Sequence, residues 1–169
     1  MAITRRHLLA ASAGIAAAAA ACAGGLGLQW WDRPPGADLG HLSEDEAEFV
    51  RAISGAAFPA GDVIELSGAD ADLDRFFDAM LSGMPALTGN LLKLLIQALE
   101  DLSVLLAGGR FTTLALPKQQ ALVEGWLAND QAELRSAVQS LVVLLSMGYT
   151  THPEIAPLMS SWHRCGYGR

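Results

Sequence analysis

The chain has 169 residues, of which 51% are hydrophobic and only 17% charged, and its formal net charge is −7. Once an N-terminal export segment is set aside, the remainder fits one domain of about 100–150 residues. Nucleic-acid binders need Lys and Arg to neutralise phosphates, so the acidic balance argues against a nucleic-acid partner. The charged fraction lies below the roughly 25% usual for soluble domains, which favours a surface covered by a partner or a membrane.

Residues 1–28 are predicted to be a twin-arginine signal or a membrane-anchor segment. The pair Arg5 and Arg6 is followed by Leu8 and Leu9, and an alanine-rich apolar run comes next. A basic start, a weakly apolar core and small residues in this order resemble a twin-arginine signal, which a translocon reads as an address. An ordinary secretory signal with a chance arginine pair is the alternative. We therefore expect an exported protein, periplasmic or on the outer face of the cytoplasmic membrane.

Three fates of this segment after export stay open. Cys22 follows small residues and could be lipidated, although alanine stands where a lipobox usually has leucine. Cleavage at a small-residue site is the second. The third is retention as a single span in the inner membrane, because residues 8–31 exceed the roughly 20 residues that cross a bilayer. Trp30 and Trp31 would then lie at the outer interface, where tryptophan is enriched.

Residues 29–42 are predicted to be a linker, since Pro34, Pro35 and Gly36 stop any helix. One helical domain is predicted over residues 43–169. Its first helix opens with a capping box, in which Ser43 caps the helix and Glu46 reaches back three residues later. The first helix ends at a Phe-Pro pair, and a loop follows.

The middle of the domain is predicted to hold two helices. The second helix starts at Asp70 or Asp72. The third covers about residues 87–107 and is rich in leucine. Its one solvent-exposed polar stripe is predicted to consist of Glu100 and Asp101. Because this helix is apolar over most of its circumference, we expect it to be buried on several sides, within the bundle or under a partner.

The third helix is joined to a fourth by a short extended link that contains Phe111. Pro117 lies in the first turn of the fourth helix, where proline is favoured. Asp130 and Glu133 predict a second capping box, which opens a fifth helix that runs to about residue 148.

A last short helix is predicted to open at His152-Pro153 and to reach about Trp162. No segment has the alternating pattern of a strand. Long helices joined by short loops predict an all-α fold, a compact helical bundle of about five to six helices after the N-terminal signal or anchor helix.

Patterns that carry catalysis or metal binding are sparse. The sequence has no glycine-rich phosphate loop, no nucleophile elbow and no zinc-protease helix motif. The alternation Asp70-x-Asp72-x-Asp74 lacks the glycine and distal glutamate of a calcium loop and suits a helix N-terminus. His163 and Cys165 provide too few ligands for a metal site. We therefore expect neither a catalytic residue nor a metal in this chain.

Four aromatic residues are candidates for partner binding, with intramolecular packing as the other interpretation. Trp162 and Tyr167 lie in or beside a glycine-containing tail that cannot build a core alone. Trp126 and Tyr149 end or follow amphipathic helical stretches in the second half of the chain.

Two stretches resemble gluconate 2-dehydrogenase subunit 3-type proteins. The first begins Leu-Ser-Glu-Asp-Glu at Leu42 and closes in Phe-Pro at Pro59; the second runs from Arg110-Phe-Thr-Thr-Leu to Trp126 and on to Gly-Tyr-x-x-His-Pro at Pro153. The resemblance implies a small subunit that accompanies flavin-dependent glucose-methanol-choline oxidoreductases. It also implies no catalytic residue and no cofactor in this chain, with FAD held by the partner.

The leading hypothesis is a non-catalytic small subunit of an exported flavin-dependent alcohol or sugar dehydrogenase. It would stabilise a flavoprotein large subunit, supply its signal for the twin-arginine translocon, and work beside a cytochrome subunit. A membrane-tethered helical binding or scaffold protein without a redox partner is the alternative. An enzyme with an unrecognised site is the third hypothesis.

Overall fold

The computed structural model describes residues 33–162, with side chains for residues 33–159. Within this range the chain is all-helical and has no strand, which confirms the predicted all-α bundle. The signal residues Arg5, Arg6, Leu8 and Leu9, together with Cys22 and Tyr167, lie outside the described residues. The six α-helices and one short 3₁₀ helix are α1 (Glu44–Ala57), α2 (Leu73–Ser82), α3 (Ala86–Ala107), the 3₁₀ helix (Phe111–Thr113), α4 (Leu116–Leu127), α5 (Ala132–Thr151) and α6 (Ala156–Trp162).

Helix α1 lies at the centre of the bundle, and α2, α3, α4 and α5 all pack against it. Its side chains Phe49, Val50 and Ile53 are at most 1% exposed. Burial of one such side chain contributes about 1.5–3 kcal/mol to folding, so the central helix supplies much of the core. Helix α5 also packs on α2 and α4, whereas α3 packs mainly on α1 and the 3₁₀ helix.

The start of α1 has the predicted capping box. The Ser43 hydroxyl accepts a hydrogen bond from the Glu46 backbone N–H (3.4 Å), and the Glu46 carboxylate accepts one from the Ser43 N–H (2.7 Å). Two N–H groups that the helix leaves unpaired are satisfied in this way. The helix ends at Phe58, whose N–H bonds the Ser54 carbonyl.

The chain just before α1 is held by Asp78 of α2. Its carboxylate accepts hydrogen bonds from the backbone N–H groups of Gly40, His41 and Leu42, each at 2.8 Å. Burial raises the pKa of this carboxyl, but the three N–H donors and the nearby His41 outweigh burial, so the pKa lies below its ordinary value. Leu42 is fully buried. The last residues of the predicted linker therefore bind the bundle.

Two local predictions differ from the structure. The capping box of Asp130 and Glu133 is wrong: Gln131 occupies the cap position without a side-chain bond, and the Asn129 side chain accepts its N–H at 2.9 Å. The link around Phe111 is a 3₁₀ helix rather than an extended segment. The predicted start of α2 is confirmed: Asp72 occupies the cap position, with a left-handed φ of 50° and no side-chain capping bond.

The loop between α1 and α2 is fastened to α1 by its backbone. The Gly68 N–H donates to the Phe58 carbonyl at 2.7 Å. A Cβ at position 68 would lie 2.2 Å from the Ser54 carbonyl oxygen, so only glycine allows this approach. Within residues 33–162, none of the helices combines the length and hydropathy that a bilayer crossing requires.

Candidate functional site on helix α3

Helix α3 has one buried face. Ile96, Leu99, Glu100 and Ser103 are at most 4% exposed, and their spacing of three and one residues along the helix places them on one side. This side faces α1 and the 3₁₀ helix. The prediction that the bundle buries α3 on several sides is therefore wrong, because within the described chain these neighbours cover only one side of it.

The opposite side of α3 is apolar and open. Leu87, Leu91, Leu94 and Leu105 are 73%, 55%, 45% and 82% exposed, and the exposed Ala98 lies between them. We call these five residues the outer leucine face. The spacings of four, three and four residues from Leu87 to Ala98 match the seam of a coiled coil, and Asp101 stands where the pattern would place the next apolar residue before Leu105. At 1.5 Å per residue the outer leucine face is about 27 Å long.

The charged side chains of α3 mostly point away from this face. Lys93 reaches inward, where its ammonium donates to the His41 carbonyl (2.8 Å) and lies 3.3 Å from the Glu46 carboxylate. Asp101 is exposed at the border of the face and accepts a hydrogen bond from Gln97 (3.0 Å). The outer leucine face is thus uncharged from Leu87 to Ala98, and Asp101 is the charge beside it between Ala98 and Leu105.

The prediction that Glu100 lies in a solvent-exposed polar stripe of α3 is wrong. Its side chain is buried, and one carboxylate oxygen accepts bonds from Arg110 Nε (2.9 Å) and Thr112 Oγ1 (3.0 Å). Both partners lie just beyond the end of α3, so the chain that turns back toward the bundle covers Glu100. The ion pairs of Lys93 with Glu46 and of Glu100 with Arg110 thus fasten α3 at two places that are two turns apart.

The aromatic candidates Trp126 and Tyr149 lie in the core, at separate places. Trp126 is 2% exposed and stacks on Phe111, with ring centroids 5.6 Å apart. Tyr149 stacks on Phe58 at 4.8 Å, and its hydroxyl donates to the Leu66 carbonyl at 2.6 Å. Burial raises the pKa of the Tyr149 phenol. The structure gives both rings a packing role within the chain.

The other two aromatic candidates, Trp162 and Tyr167, have side chains that lie outside the described residues. Trp162 is the last residue of α6, and its side chain is outside the part that the structure describes; Tyr167 lies beyond it. The sequence predictions do not include the outer leucine face as a separate surface. Its spacing of three or four residues is readable in the sequence, but Leu92, Ile96 and Leu99 on the core side of α3 have the same spacing, so the pattern alone does not show which side is covered.

Metal-binding clusters and crevices are the other places in the described residues where a site could lie. Among residues 33–162, no group of three or more His, Cys, Asp or Glu side chains is arranged to hold a metal ion. Two crevices have volumes of about 150 and 200 Å³. Sites for small ligands usually measure about 300–1,000 Å³. Contiguous exposed apolar surface is typical of interaction sites, so the outer leucine face is the candidate functional site.

Comparison with known proteins gives one match. A family model described as gluconate 2-dehydrogenase subunit 3 matches residues 44–168, which is more than half of the chain and begins at the first residue of α1. The match covers all six α-helices, including α3 with its outer leucine face. No curated protein and no solved structure matches the chain.

Proposed function

The chain belongs to the gluconate 2-dehydrogenase subunit 3 family, and on that premise we propose that it is the non-catalytic small subunit of an exported flavin-dependent alcohol or sugar dehydrogenase. The family description makes the chain one subunit of a dehydrogenase complex. The match over residues 44–168 is the observation that carries the proposal, and the outer leucine face provides the contact surface that a subunit needs.

In this proposal the partner performs the oxidation. A flavoprotein large subunit of the glucose-methanol-choline type holds FAD, and a cytochrome subunit or a quinone accepts the electrons. The small subunit contributes apolar contact and a stable helical support, which are the features its described residues provide. Its task is to stabilise the large subunit.

The N-terminal segment supplies the export signal for the whole complex. The signal that the twin-arginine translocon recognises consists of Arg5, Arg6, Leu8 and Leu9. This translocon carries folded proteins. A small helical chain has little need of folded export for itself, whereas a flavoprotein that binds FAD in the cytoplasm does. The complex then works in the periplasm or on the outer face of the cytoplasmic membrane, with the leader cleaved, lipidated at Cys22 or retained as a membrane span.

The proposal is tested by co-expression of the tagged full-length chain with a glucose-methanol-choline flavoprotein encoded in the same genome. We expect the two chains to co-purify in equal amounts, with the visible absorbance of bound flavin and with substrate-dependent dye reduction. The flavoprotein expressed alone is the control and should be less stable and less active. A flavoprotein that is fully active alone and never co-purifies would show that the proposal is wrong.

A membrane-tethered helical binding protein without a redox partner is the second candidate. The outer leucine face favours it to the same degree, because an apolar seam does not specify a flavoprotein. The flavin spectrum of the co-purified material separates the two, since only the dehydrogenase subunit brings FAD with it.

A further inference from the structure

We propose that the outer leucine face of α3 is the surface that holds the large subunit, by receiving a helix of that subunit whose apolar seam is bordered by Lys and Arg. The identity of the partner rests on the proposed function. The position of the surface and the chemistry of its occupant rest on the geometry and charge of this chain.

The first argument is the shape of the face. Its residues recur every three or four positions from Leu87 to Ala98, and Leu105 extends the face to about 27 Å beyond the intervening Asp101, so a second helix can lie along α3 with its side chains between theirs. Leu105 is 82% exposed and Leu87 is 73% exposed, so both ends of the seam are open to such a helix. Because Lys93 and Glu100 fasten α3 from the other side, little order has to be gained when the partner binds.

The second argument is charge. Residues 33–162 contain seven Lys and Arg against 17 Asp and Glu, a net charge of −10. Asp101 adds a negative charge at the border of the outer leucine face. A partner helix with Lys and Arg beside its seam complements this charge and associates faster for it.

Charge also argues against two other occupants. A second copy of this chain would bring a body with the same net charge of −10 and a second Asp101 beside the face, and like charges oppose association. Anionic lipid headgroups meet the same repulsion. Helices that lie on a membrane surface carry Lys and Arg on their polar face, whereas the one Lys of α3 is turned inward to Glu46.

The test compares single substitutions in the full-length chain, co-expressed with the flavoprotein large subunit. Leu91→Glu and Leu105→Glu should each lower the amount of co-purified flavoprotein about ten-fold or more, because burial of one leucine is worth at least one decade in affinity. Val143→Glu and Met147→Glu on α5 are the matched controls. Their side chains are 52% and 54% exposed, and both variants should keep wild-type binding.

Folding is checked in each variant by circular dichroism and thermal unfolding, which should be unchanged since all four side chains are exposed. Raised salt should weaken the wild-type complex, because the proposed borders are of opposite charge. A complex that is insensitive to salt would contradict the basic border of the partner helix.

The outcomes separate this inference from the proposed function. If the wild-type chain retains no flavoprotein, the proposed function fails. If the wild-type chain and both α3 variants retain it equally, the proposed function stands and the assignment of the surface is wrong. A concentration-dependent dimer of the chain alone that Leu91→Glu abolishes would assign the face to a second copy instead. Binding to phosphatidylglycerol vesicles that the same variant abolishes would assign it to the membrane.

Discussion

At the scale of single residues, Asp78 shows how one side chain can join two parts of a chain. It lies on α2, yet its three hydrogen bonds go to the backbone of residues 40–42, ahead of α1. The lowered pKa means that the folded state favours the charged carboxylate. The stability that this contributes is present above the ordinary Asp pKa and is lost as the pH falls through the lower folded value.

We expect Asp78→Asn to lower the free energy of unfolding by about 1–3 kcal/mol near neutral pH, because bonds to a charged acceptor are replaced by weaker ones. The difference from wild type should shrink as the pH falls below about 4. Urea unfolding at several pH values measures both effects. Asp62→Asn, in the exposed loop after α1, is the control and should change neither. A difference that is constant with pH would contradict the role of the charge.

The neighbours Glu100 and Asp101 offer a second test at this scale. Glu100→Ala removes the acceptor of Arg110 and Thr112 from a buried position and should cost about 2 kcal/mol. Asp101→Ala removes an exposed side chain and should cost less than about 0.5 kcal/mol. Chemical denaturation measures the free energy of unfolding of the two variants. Equal losses would contradict a stabilising role for the bonds that Glu100 accepts from Arg110 and Thr112.

At the scale of helices, the contact of α2 with α5 depends on a small residue. Gly148 of α5 lies against the ring of Phe76 on α2, and a Cβ there would be 2.5 Å from the Phe76 Cδ1 atom. The helices can approach this closely only because position 148 has no side chain. Within residues 33–162, α3 has no such neighbour across its outer leucine face.

Gly148→Ala should therefore destabilise the fold by about 1–3 kcal/mol, because the Phe76 ring or the helix axis must shift. Gly125→Ala on α4 is the matched control, since nothing lies within 4 Å of the added Cβ. Alanine is the better helix former, so this control should be neutral or stabilising by up to about 1 kcal/mol. Thermal unfolding of both variants provides the comparison, and a neutral Gly148→Ala would mean that α2 and α5 are less tightly packed than described.

At the scale of the whole molecule, the proposed subunit has two functional parts. They are an N-terminal export signal and a helical body that exposes the outer leucine face. The body carries a net charge of −10 over residues 33–162, so a basic border on its partner is the natural complement. The proposed function needs both parts, because the export signal must be carried by the same chain that binds the flavoprotein through its outer leucine face.

The export signal is tested by combining Arg5→Lys and Arg6→Lys in the full-length chain. We expect the flavoprotein large subunit to stay in the cytoplasm, because a translocon that reads paired arginines no longer recognises the signal. Cell fractionation with a flavin-dependent activity assay measures this. The double variant should still bind the flavoprotein in the cytoplasm. Normal export of the flavoprotein with this variant would show that the chain does not carry its signal.

Much of the fold follows from local sequence patterns. Ser43 and Glu46 mark the start of α1, Pro117 marks the first turn of α4, and the apolar spacing predicts the number and type of the helices. These features depend on residues close together in the chain, and for that reason they are readable without tertiary contacts. The predicted cap at Asp130 is wrong because the helix begins one residue later, with Gln131 at the cap position and its N–H bonded to the Asn129 side chain.

Sequence by itself thus determined the class of the fold, most of the helix ends and, through short motifs, the family. Tertiary structure alone decided which side of each helix is covered. Leu99 and Leu105 belong to the same apolar helix, yet one is 1% and the other 82% exposed, because α1 covers only one side of α3. Burial of Glu100 likewise depends on Arg110 and Thr112 folding back over it. A pattern of hydrophobicity shows that a surface can be buried, but only the arrangement of neighbours shows what is left open.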